Sequence, residues 1–171
     1  MKFNLSPRRA LTLVSLIPLG LLGEAMILQH LQSQAPCPLC VLDRLGFSLY
    51  ALLAIAGALY NPPQRRAALY AGGMALTALC GLGVAGWHLW TLYHPKFGCG
   101  IDVMEQFVNN LPTAKLMPFM FYASGDCSAR NDPILGLQVP EWALVWFAIL
   151  FLAAAFLAYQ WRAAAPERAA A

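Results

Sequence analysis

Four long apolar segments, each interrupted by few polar residues, dominate the pattern of hydrophobic and polar positions along the chain. They cover about residues 10–28, 41–60, 67–90 and 142–161. A helix that crosses a membrane needs roughly 20 mostly apolar residues, and each segment is long enough. The pattern therefore predicts an all-α membrane protein, a four-transmembrane-helix bundle in which residues 1–171 form a single membrane domain.

The residues between these segments predict two loops on one side of the bundle, residues 29–40 and residues 94–140. In the longer loop, apolar residues recur at helical spacing from Ile101 to Leu111, with polar residues on the opposite face. This amphipathic pattern is typical of a short helix that lies in the membrane interface. The apolar stretch from Leu116 to Tyr122 is too short to span, and we expect it to contact lipid or a protein partner.

The composition supports a membrane protein. Hydrophobic residues make up 60% of the chain and charged residues 11%, with a mean hydropathy of +0.57, whereas a soluble domain carries about 25% charged residues. A cleaved signal peptide over residues 1–23 is an alternative, because a basic start followed by an apolar stretch fits one as well. No clean small-x-small cleavage site follows that stretch, which favours a retained first helix.

The basic residues predict the orientation, since cytoplasmic loops are enriched in Lys and Arg. Seven of the 11 basic residues lie at the termini or between the second and third segments: Lys2, Arg8, Arg9, Arg65, Arg66, Arg162 and Arg168. The opposite side holds the other four together with six of the eight acidic residues. We therefore expect both termini in the cytoplasm. The net charge of +3 then reflects orientation, and no nucleic-acid partner is expected.

Four of the five cysteines lie in the two predicted outer loops. Cys37 and Cys40 belong to the first loop, and Cys99 and Cys127 belong to the second. The outer side of a membrane is oxidising, and disulfides persist there. The fifth cysteine, Cys80, lies in the middle of the third apolar segment and is predicted to be a small buried hydrophobe.

The sequence Cys37-Pro38-Leu39-Cys40 falls at the predicted start of the second helix. Proline suits the first helical turn, and the positive end of the helix dipole favours thiolates at both cysteines. Arg44 follows one helical turn after Cys40, just inside the apolar segment, where charged groups are usually functional. We expect Arg44 to stabilise a Cys40 thiolate and to donate hydrogen bonds to a carbonyl oxygen of a bound ligand. Snorkelling of Arg44 to the lipid headgroups is the alternative.

The second pair of cysteines has a different context. Cys99 lies between two glycines, and Cys127 lies in the turn-like sequence Ala-Ser-Gly-Asp-Cys-Ser. A disulfide between Cys99 and Cys127 would close a long, flexible loop and could be a passive structural link. The neighbouring Cys-x-x-Cys favours a redox-active pair instead.

Together these residues resemble the DsbB family, the quinone-coupled disulfide-forming membrane enzymes. The resemblance covers nearly the whole chain in order and spacing. It comprises Cys37 and Cys40 followed by Arg44, a histidine (His88) near the outer end of the third segment, a lone cysteine, the sequence Ala-Ser-Gly-Asp-Cys, and Pro-Glu-Trp before the fourth segment. The combination is specific, whereas a Cys-x-x-Cys alone is weak evidence.

The resemblance implies a quinone-dependent, protein-disulfide-forming oxidoreductase of the bacterial inner membrane. A reduced periplasmic thiol oxidase resembling DsbA would form a mixed disulfide at Cys99 and free Cys127, which would then attack Cys37. The electrons would pass to Cys40, whose thiolate would contact the quinone ring, and from there to the membrane quinone pool, with ubiquinone or menaquinone as the cofactor. Arg44 would polarise a quinone oxygen.

The resemblance also implies that His88 assists quinone binding or protonation. A histidine among the outer aromatic residues Trp87, Trp90 and Tyr93 could equally be an interfacial anchor. Glu24 and His30 are polar residues in or near the first segment for which the sequence indicates no role.

Three alternatives stay open at the level of sequence. A vitamin-K-epoxide-reductase-like enzyme also combines a Cys-x-x-Cys with a loop pair, but in the opposite sequence order. Four thiolates could bind zinc, although the oxidising compartment and the absence of a second Cys-x-x-Cys argue against a metal site, and none is expected. Two inert disulfides could also stabilise a non-catalytic scaffold.

Overall fold

The computed structural model describes residues 6–31, 33–94, 101–130 and 133–167. This part of the chain contains seven α-helices and an isolated bridge between Ile134 and Leu137. The helices are α1 (Pro7–Leu31), α2 (Pro38–Tyr60), α3 (Gln64–Tyr93), α4 (Ile101–Asn109), α5 (Pro112–Leu116), α6 (Pro118–Phe121) and α7 (Val139–Glu167).

Four of these helices, α1, α2, α3 and α7, are long and apolar enough to cross a membrane. They coincide with the four apolar segments, so the predicted four-helix membrane fold is confirmed. Each helix begins three residues before its expected segment. The residues added at these ends include Pro7 and Pro38, which break the apolar pattern but suit a first helical turn because their missing N–H would have no partner there.

Helix α2 packs against both α1 and α3, and α3 packs against α7. The contacts use small buried residues such as Ala54, Ala71 and Ala78, which let helices approach closely in a membrane. Phe147 of α7 stacks on Phe47 of α2 with ring centroids 4.1 Å apart. A Cβ at Gly81 of α3 would overlap the Phe147 ring, so the absence of a side chain there lets α7 approach.

The outward faces of the long helices carry exposed leucines, including Leu16, Leu52, Leu76 and Leu152, as expected for helices surrounded by lipid. Cys80 also lies on this outer surface. The prediction that Cys80 is buried is therefore wrong. Its position on α3 points away from the contacts with α2 and α7, and an apolar segment alone does not show which face of a helix is covered.

The second loop folds over one end of α2. Helix α4 coincides with the amphipathic helix predicted from Ile101 to Leu111, and both α4 and α6 contact α2. Val108 is buried, while Phe107 and Val103 are exposed. The apolar stretch after residue 115 forms the end of α5 and the whole of α6, whose Phe121 is buried. The loop thus covers the end of the bundle that carries the Cys-x-x-Cys.

Candidate active site

The Cys37–Cys40 pair is built into the start of α2. Cys37 is the N-cap residue, and Pro38 is the first residue of the helix. The Cys37 sulfur accepts a hydrogen bond from the backbone N–H of Cys40 at 3.2 Å, as side-chain oxygens do at other N-caps. The two sulfurs lie 2.8 Å apart, so a small side-chain rotation would bring them to disulfide geometry.

Cys127 comes from the second loop and packs in the same buried apolar cluster as Cys37. The two side chains are only 1% and 2% exposed, respectively. Hydrogen bonding with Cys127 and with Cys40, together with burial, raises the pKa of the Cys37 thiol above its ordinary value. The neighbouring sulfurs and burial therefore oppose the helix dipole at Cys37, and the expectation of a thiolate there stays a prediction.

Backbone contacts between the two loops bring Cys127 to this position. The N–H groups of Ser124 and Gly125 both donate to the carbonyl oxygen of Pro36 at 3.0 Å. Gly125 lies so close to the first loop that a Cβ would overlap the carbonyl oxygen of Ala35. The segment before Cys127 therefore packs directly against the segment before Cys37.

Helix α4 holds the same segment from the other side. The Asn109 side chain donates to the carbonyl oxygen of Ala123 at 2.9 Å and accepts from the Ala123 N–H at 2.8 Å. Asp126 then accepts hydrogen bonds from the N–H and the hydroxyl of Ser128, each at 2.9 Å. Cys127 thus lies in a short segment held on both flanks. Cys99, its predicted partner, lies outside the described residues.

His88 of α3 lies beside the cysteine pair. One ring nitrogen, Nε2, is 3.4 Å from the Cys37 sulfur, and the other, Nδ1, is 3.4 Å from Oδ2 of Asp43. The side chain is buried, so the alternative of an interfacial anchor is wrong. The ligand role predicted for His88 stays a prediction.

Asp43 is buried at the centre of this site, and the sequence analysis gave it no role. Its Oδ1 oxygen has no hydrogen-bond partner among the described residues. The sequence signal for Asp43 was its position next to Arg44, inside an apolar segment, where ionisable groups are costly. Its contact with His88 of α3 depends on how two helices pack, which the sequence pattern does not show.

Arg44 is 7% exposed, so the snorkelling alternative is wrong. Its Nη1 donates to Oε1 of Gln29 at 2.5 Å and to the carbonyl oxygen of Met120 at 2.8 Å, and its Nη2 donates to the carbonyl oxygen of Ala25 at 3.2 Å. These bonds join α2 to α1 and α6. They use three of the five guanidinium N–H donors, and none of them runs to Cys40.

Gln29 is a second site residue that the sequence analysis missed. Besides accepting from Arg44, its amide donates to the carbonyl oxygen of Phe119 at 2.9 Å. His30 contacts the same carbonyl oxygen at 3.2 Å. The end of α1 therefore supports both Arg44 and α6. A lone glutamine near the end of an apolar helix carries no sequence signal for such a contact.

A cavity of about 270 Å³ lies between α1, α2, α7 and the turn before α7. Among the residues that the structure describes, three ionisable side chains line it, those of Glu24, Asp43 and Arg44. The rest of the lining is apolar and aromatic, and includes Leu28, Phe47, Leu135, Trp142 and Trp146. An apolar pocket with a few polar groups is typical of a site for a small molecule. Its volume is near the lower end of such sites, roughly 300 Å³.

Cys37, Cys40 and His88 also have the chemistry of metal ligands. One donor atom of each lies within 4.8 Å of the others. Two thiolates bound to one tetrahedral zinc at about 2.3 Å would lie about 3.8 Å apart, whereas the two sulfurs are 2.8 Å apart. The expectation that no metal binds here stays a prediction.

Thiol–disulfide chemistry in a bundle of four membrane-spanning helices places the chain among the multi-pass membrane proteins that form disulfide bonds. Comparison with known families identifies which of these it is. The family model described as "Disulfide bond formation protein DsbB" matches residues 7–157. The chain belongs to this family of bacterial membrane proteins.

Individual relatives cover most of the chain. The protein "Disulfide bond formation protein B" of Herminiimonas arsenicoxydans is 44% identical over 145 residues, which cover 85% of this chain and 90% of that protein. The protein of the same name from Cupriavidus metallidurans is 39% identical and covers 82% of this chain and 85% of its own length. "Disulfide bond formation protein B 1" of Pseudomonas fluorescens (strain Pf0-1) is 41% identical, with 85% of both chains covered. The family match also removes the support for a vitamin-K-epoxide-reductase-like enzyme.

Proposed function

We propose that this membrane protein reoxidises a periplasmic DsbA-like dithiol oxidase and passes the electrons through two cysteine pairs to ubiquinone or menaquinone. The observation that carries the proposal is the burial of Cys127 against Cys37 at the start of α2. The next turn of the same helix, with Asp43 and Arg44, lines the cavity. A sulfur from the outer loop thus lies next to the dithiol that borders the bilayer.

The first steps are exchanges between thiols and disulfides, which proceed by attack of a thiolate on a disulfide sulfur. A thiolate of the partner attacks Cys99, forming a mixed disulfide and releasing Cys127. Cys127 attacks the sulfur of Cys37, so the Cys37–Cys127 bond forms and the Cys37–Cys40 bond breaks. Cys40 leaves as the thiolate, since its sulfur lies at the positive end of α2.

The second thiol of the partner then displaces Cys99, and the partner departs oxidised. Cys99 attacks Cys127, which restores the loop disulfide and releases Cys37. Cys37 and Cys40 remain as a dithiol that holds the two electrons from the partner. Each exchange breaks one S–S bond and forms one, so the number of disulfides is conserved until the dithiol is oxidised.

The cavity fits a quinone headgroup in its chemistry. Its walls are apolar and aromatic, and the Arg44 donors not used by α1 and α6 can serve a carbonyl oxygen. Asp43, whose Oδ1 has no hydrogen-bond partner among the described residues, is a second polar residue at this wall. A bound quinone supplies an acceptor for two electrons and two protons. Arg44, which is held by the carbonyl oxygen of Met120 on α6, orients that acceptor.

The test is turnover of a reduced DsbA-like protein by the purified chain in quinone-free nanodiscs, with and without added ubiquinone-1 or a menaquinone analogue. We expect multiple turnovers only with quinone, and loss of turnover in Cys37→Ser and in Cys99→Ser. Cys80→Ser, on the lipid-facing surface of α3, is the matched control and should behave as the parent. Turnover that does not depend on quinone, or that persists in Cys37→Ser, would contradict the proposal.

A further inference from the structure

The carboxylate of Asp43 lies between His88 and the cavity. Its Oδ2 is 3.4 Å from Nδ1 of His88, while Oδ1 has no hydrogen-bond partner among the described residues. The side chain is 6% exposed, and the residue lines the cavity. Buried polar atoms are nearly always hydrogen-bonded, so an unpartnered carboxylate oxygen on a residue that lines a cavity indicates a partner that binds there.

His88 continues this chain of contacts to the dithiol, because its Nε2 is 3.4 Å from the Cys37 sulfur. An imidazole can accept a proton on one nitrogen and give up the proton on the other. Thiol, imidazole and carboxylate therefore form a continuous path from Cys37 to the cavity. All three groups are buried, so water does not interrupt the path.

Among the described residues, no other charged group near Asp43 forms a hydrogen bond with its Oδ1. Arg44, the next residue, directs its hydrogen bonds to α1 and α6. Glu24 of α1 lines the same cavity and is exposed. Cys40 lies one turn before Asp43 on α2. Among the described residues, Asp43 has its only ionic contact with His88.

We propose that His88 and Asp43 form a proton relay, in which Asp43 delivers to the cavity a proton that leaves the Cys37 thiol. The proposal rests on the proposed function, since it assigns the proton path of that reaction. As the Cys37–Cys40 bond forms, the Cys37 S–H bond breaks and Nε2 of His88 takes the proton. Nδ1 of His88 gives its proton to Oδ2 of Asp43, and the carboxyl group releases one proton into the cavity.

The balance of the reaction is dithiol plus quinone to disulfide plus quinol. Two electrons leave the sulfurs, and one S–S bond forms. The relay carries both protons in turn. The first is the proton of Cys40, which enters the relay when Cys40 ionises on reduction of the disulfide and leaves Asp43 protonated in the reduced protein; the donor atoms of Cys40 and His88 lie within 4.8 Å of each other. The second is the proton of Cys37.

Asp43→Asn removes the ability of residue 43 to deliver a proton while it keeps the hydrogen bond that positions His88. The amide has the shape of the carboxylate, and its oxygen still accepts a hydrogen bond from His88, but it carries no transferable proton. Asp43→Glu restores a carboxyl group on a longer side chain. Glu105→Gln is the matched control, because it makes the same change of a carboxylate to an amide on α4, away from the cavity.

The first readout uses quinone-free protein. Infrared difference spectra are recorded while dithiothreitol reduces the Cys37–Cys40 disulfide, in H2O and in D2O. We expect a carboxylic-acid carbonyl band that shifts in D2O, is lost in Asp43→Asn and persists in Glu105→Gln. Its absence from the parent spectrum, or its persistence in Asp43→Asn, would overturn the relay.

The second readout is steady-state reduction of ubiquinone-1. We expect kcat to fall about 100-fold in Asp43→Asn, in the range for loss of a general acid, with the quinone KM within about threefold of the parent. Asp43→Glu should recover at least part of kcat. His88→Gln should cause a similar loss, and the double variant Asp43→Asn/His88→Gln should be little worse than either single variant, since residues in one path are not additive.

Each other outcome has a separate meaning. A parent protein without quinone-dependent turnover would overturn the proposed function and the relay with it. An active parent whose Asp43→Asn variant keeps its kcat, or changes only in KM, would overturn the relay alone. If Asp43→Asn does not fold, His88→Gln serves as the test of the relay. An unchanged infrared band together with an unchanged kcat in His88→Gln would overturn the relay.

Discussion

Arg44 shows how a charged side chain is kept inside a membrane helix. Its guanidinium bonds to two backbone carbonyl oxygens and to the Gln29 side chain, which replaces the water lost on burial. Two of these partners lie on α1 and one on α6, so the side chain also fixes the position of both elements around the cavity.

Replacing Arg44 should weaken quinone binding more than thiol exchange. We expect Arg44→Ala to raise the quinone KM by about tenfold or more, since hydrogen bonds to a charged group contribute about 1.5–3 kcal/mol. Arg44→Lys should fall between Arg44→Ala and the parent, because lysine cannot reproduce the forked geometry. Formation of the mixed disulfide at Cys99 should change little. Arg66→Ala, an exposed arginine at the other end of the bundle, is the control, and an equal quinone KM in Arg44→Ala and the parent would contradict the role.

The thiol of Cys37 should be unreactive in the reduced protein, because its pKa is raised by the neighbouring sulfurs and by burial. A raised pKa means a smaller thiolate fraction at neutral pH, and the thiolate is the reactive form. We expect Cys127→Ala, which removes the largest cause of the shift, to speed alkylation of Cys37 at pH 7. Cys127→Ser should speed it less, because a hydroxyl can still hydrogen-bond. Peptide mass spectrometry after timed exposure to iodoacetamide measures both rates, and equal rates in Cys127→Ala and the parent would be the contrary result.

The sequence identified the site residues that can be recognised from their type and their spacing along the chain. Cys37 and Cys40 lie at the start of α2, so their spacing alone brings the two sulfurs together, and Arg44 follows one turn later. Asp43 and Gln29 acquire their partners through helix packing, and Cys80 was placed wrongly for the same reason. An apolar segment gives the length of a membrane helix but not the face that its neighbours cover.

At the scale of elements, α4 and the segment before Cys127 act as one unit. The two hydrogen bonds between Asn109 and Ala123 hold that segment from one side, and the carbonyl oxygen of Pro36 holds it from the other. The sequence predicted α4 from its amphipathic pattern. It did not predict this contact, because the polar face of an amphipathic helix gives no information about what it binds.

Loss of the Asn109 side chain should slow the transfer between the two cysteine pairs. We expect Asn109→Ala to slow attack of Cys127 on Cys37 by up to about 30-fold, as expected for the loss of two hydrogen bonds of about 1 kcal/mol each. The mixed disulfide at Cys99 should form at the parent rate. Rapid-quench trapping with mass spectrometry separates the two steps.

The neighbouring Asn110 provides the matched control. Its side chain bonds only to the carbonyl oxygen of Gln106 within the same turn of α4, among the described residues. Asn110→Ala should therefore leave both steps unchanged. Equal slowing in Asn109→Ala and Asn110→Ala would point to a general effect on α4 and contradict the specific contact.

At the scale of the whole molecule, the membrane bundle was the most predictable feature. Four segments of sufficient length and few charges leave little choice of architecture, because only helices and closed barrels satisfy the backbone inside lipid. The order in which the helices pack, and the cavity between α1, α2 and α7, could not be derived in that way. They depend on side-chain fits such as Phe147 against Gly81.

The orientation of the bundle is a further prediction for the whole molecule. In a variant without native cysteines, Arg130→Cys should react with a membrane-impermeant maleimide on intact spheroplasts, because the second loop is expected outside. Arg65→Cys, in the first turn of α3, should react only after the membrane is permeabilised. Labelling in the reverse order would contradict the distribution of basic residues as a guide to topology.

In the proposed reaction, both electrons from a partner dithiol reach the quinone through Cys127 and Cys37. The most direct measurement is the amount of quinol formed per partner disulfide formed, in the parent and in Cys127→Ser. We expect one quinol per disulfide in the parent, as a two-electron transfer requires, and no quinol in Cys127→Ser. Quinol formation by Cys127→Ser at the rate of the parent would show that the electrons take another path.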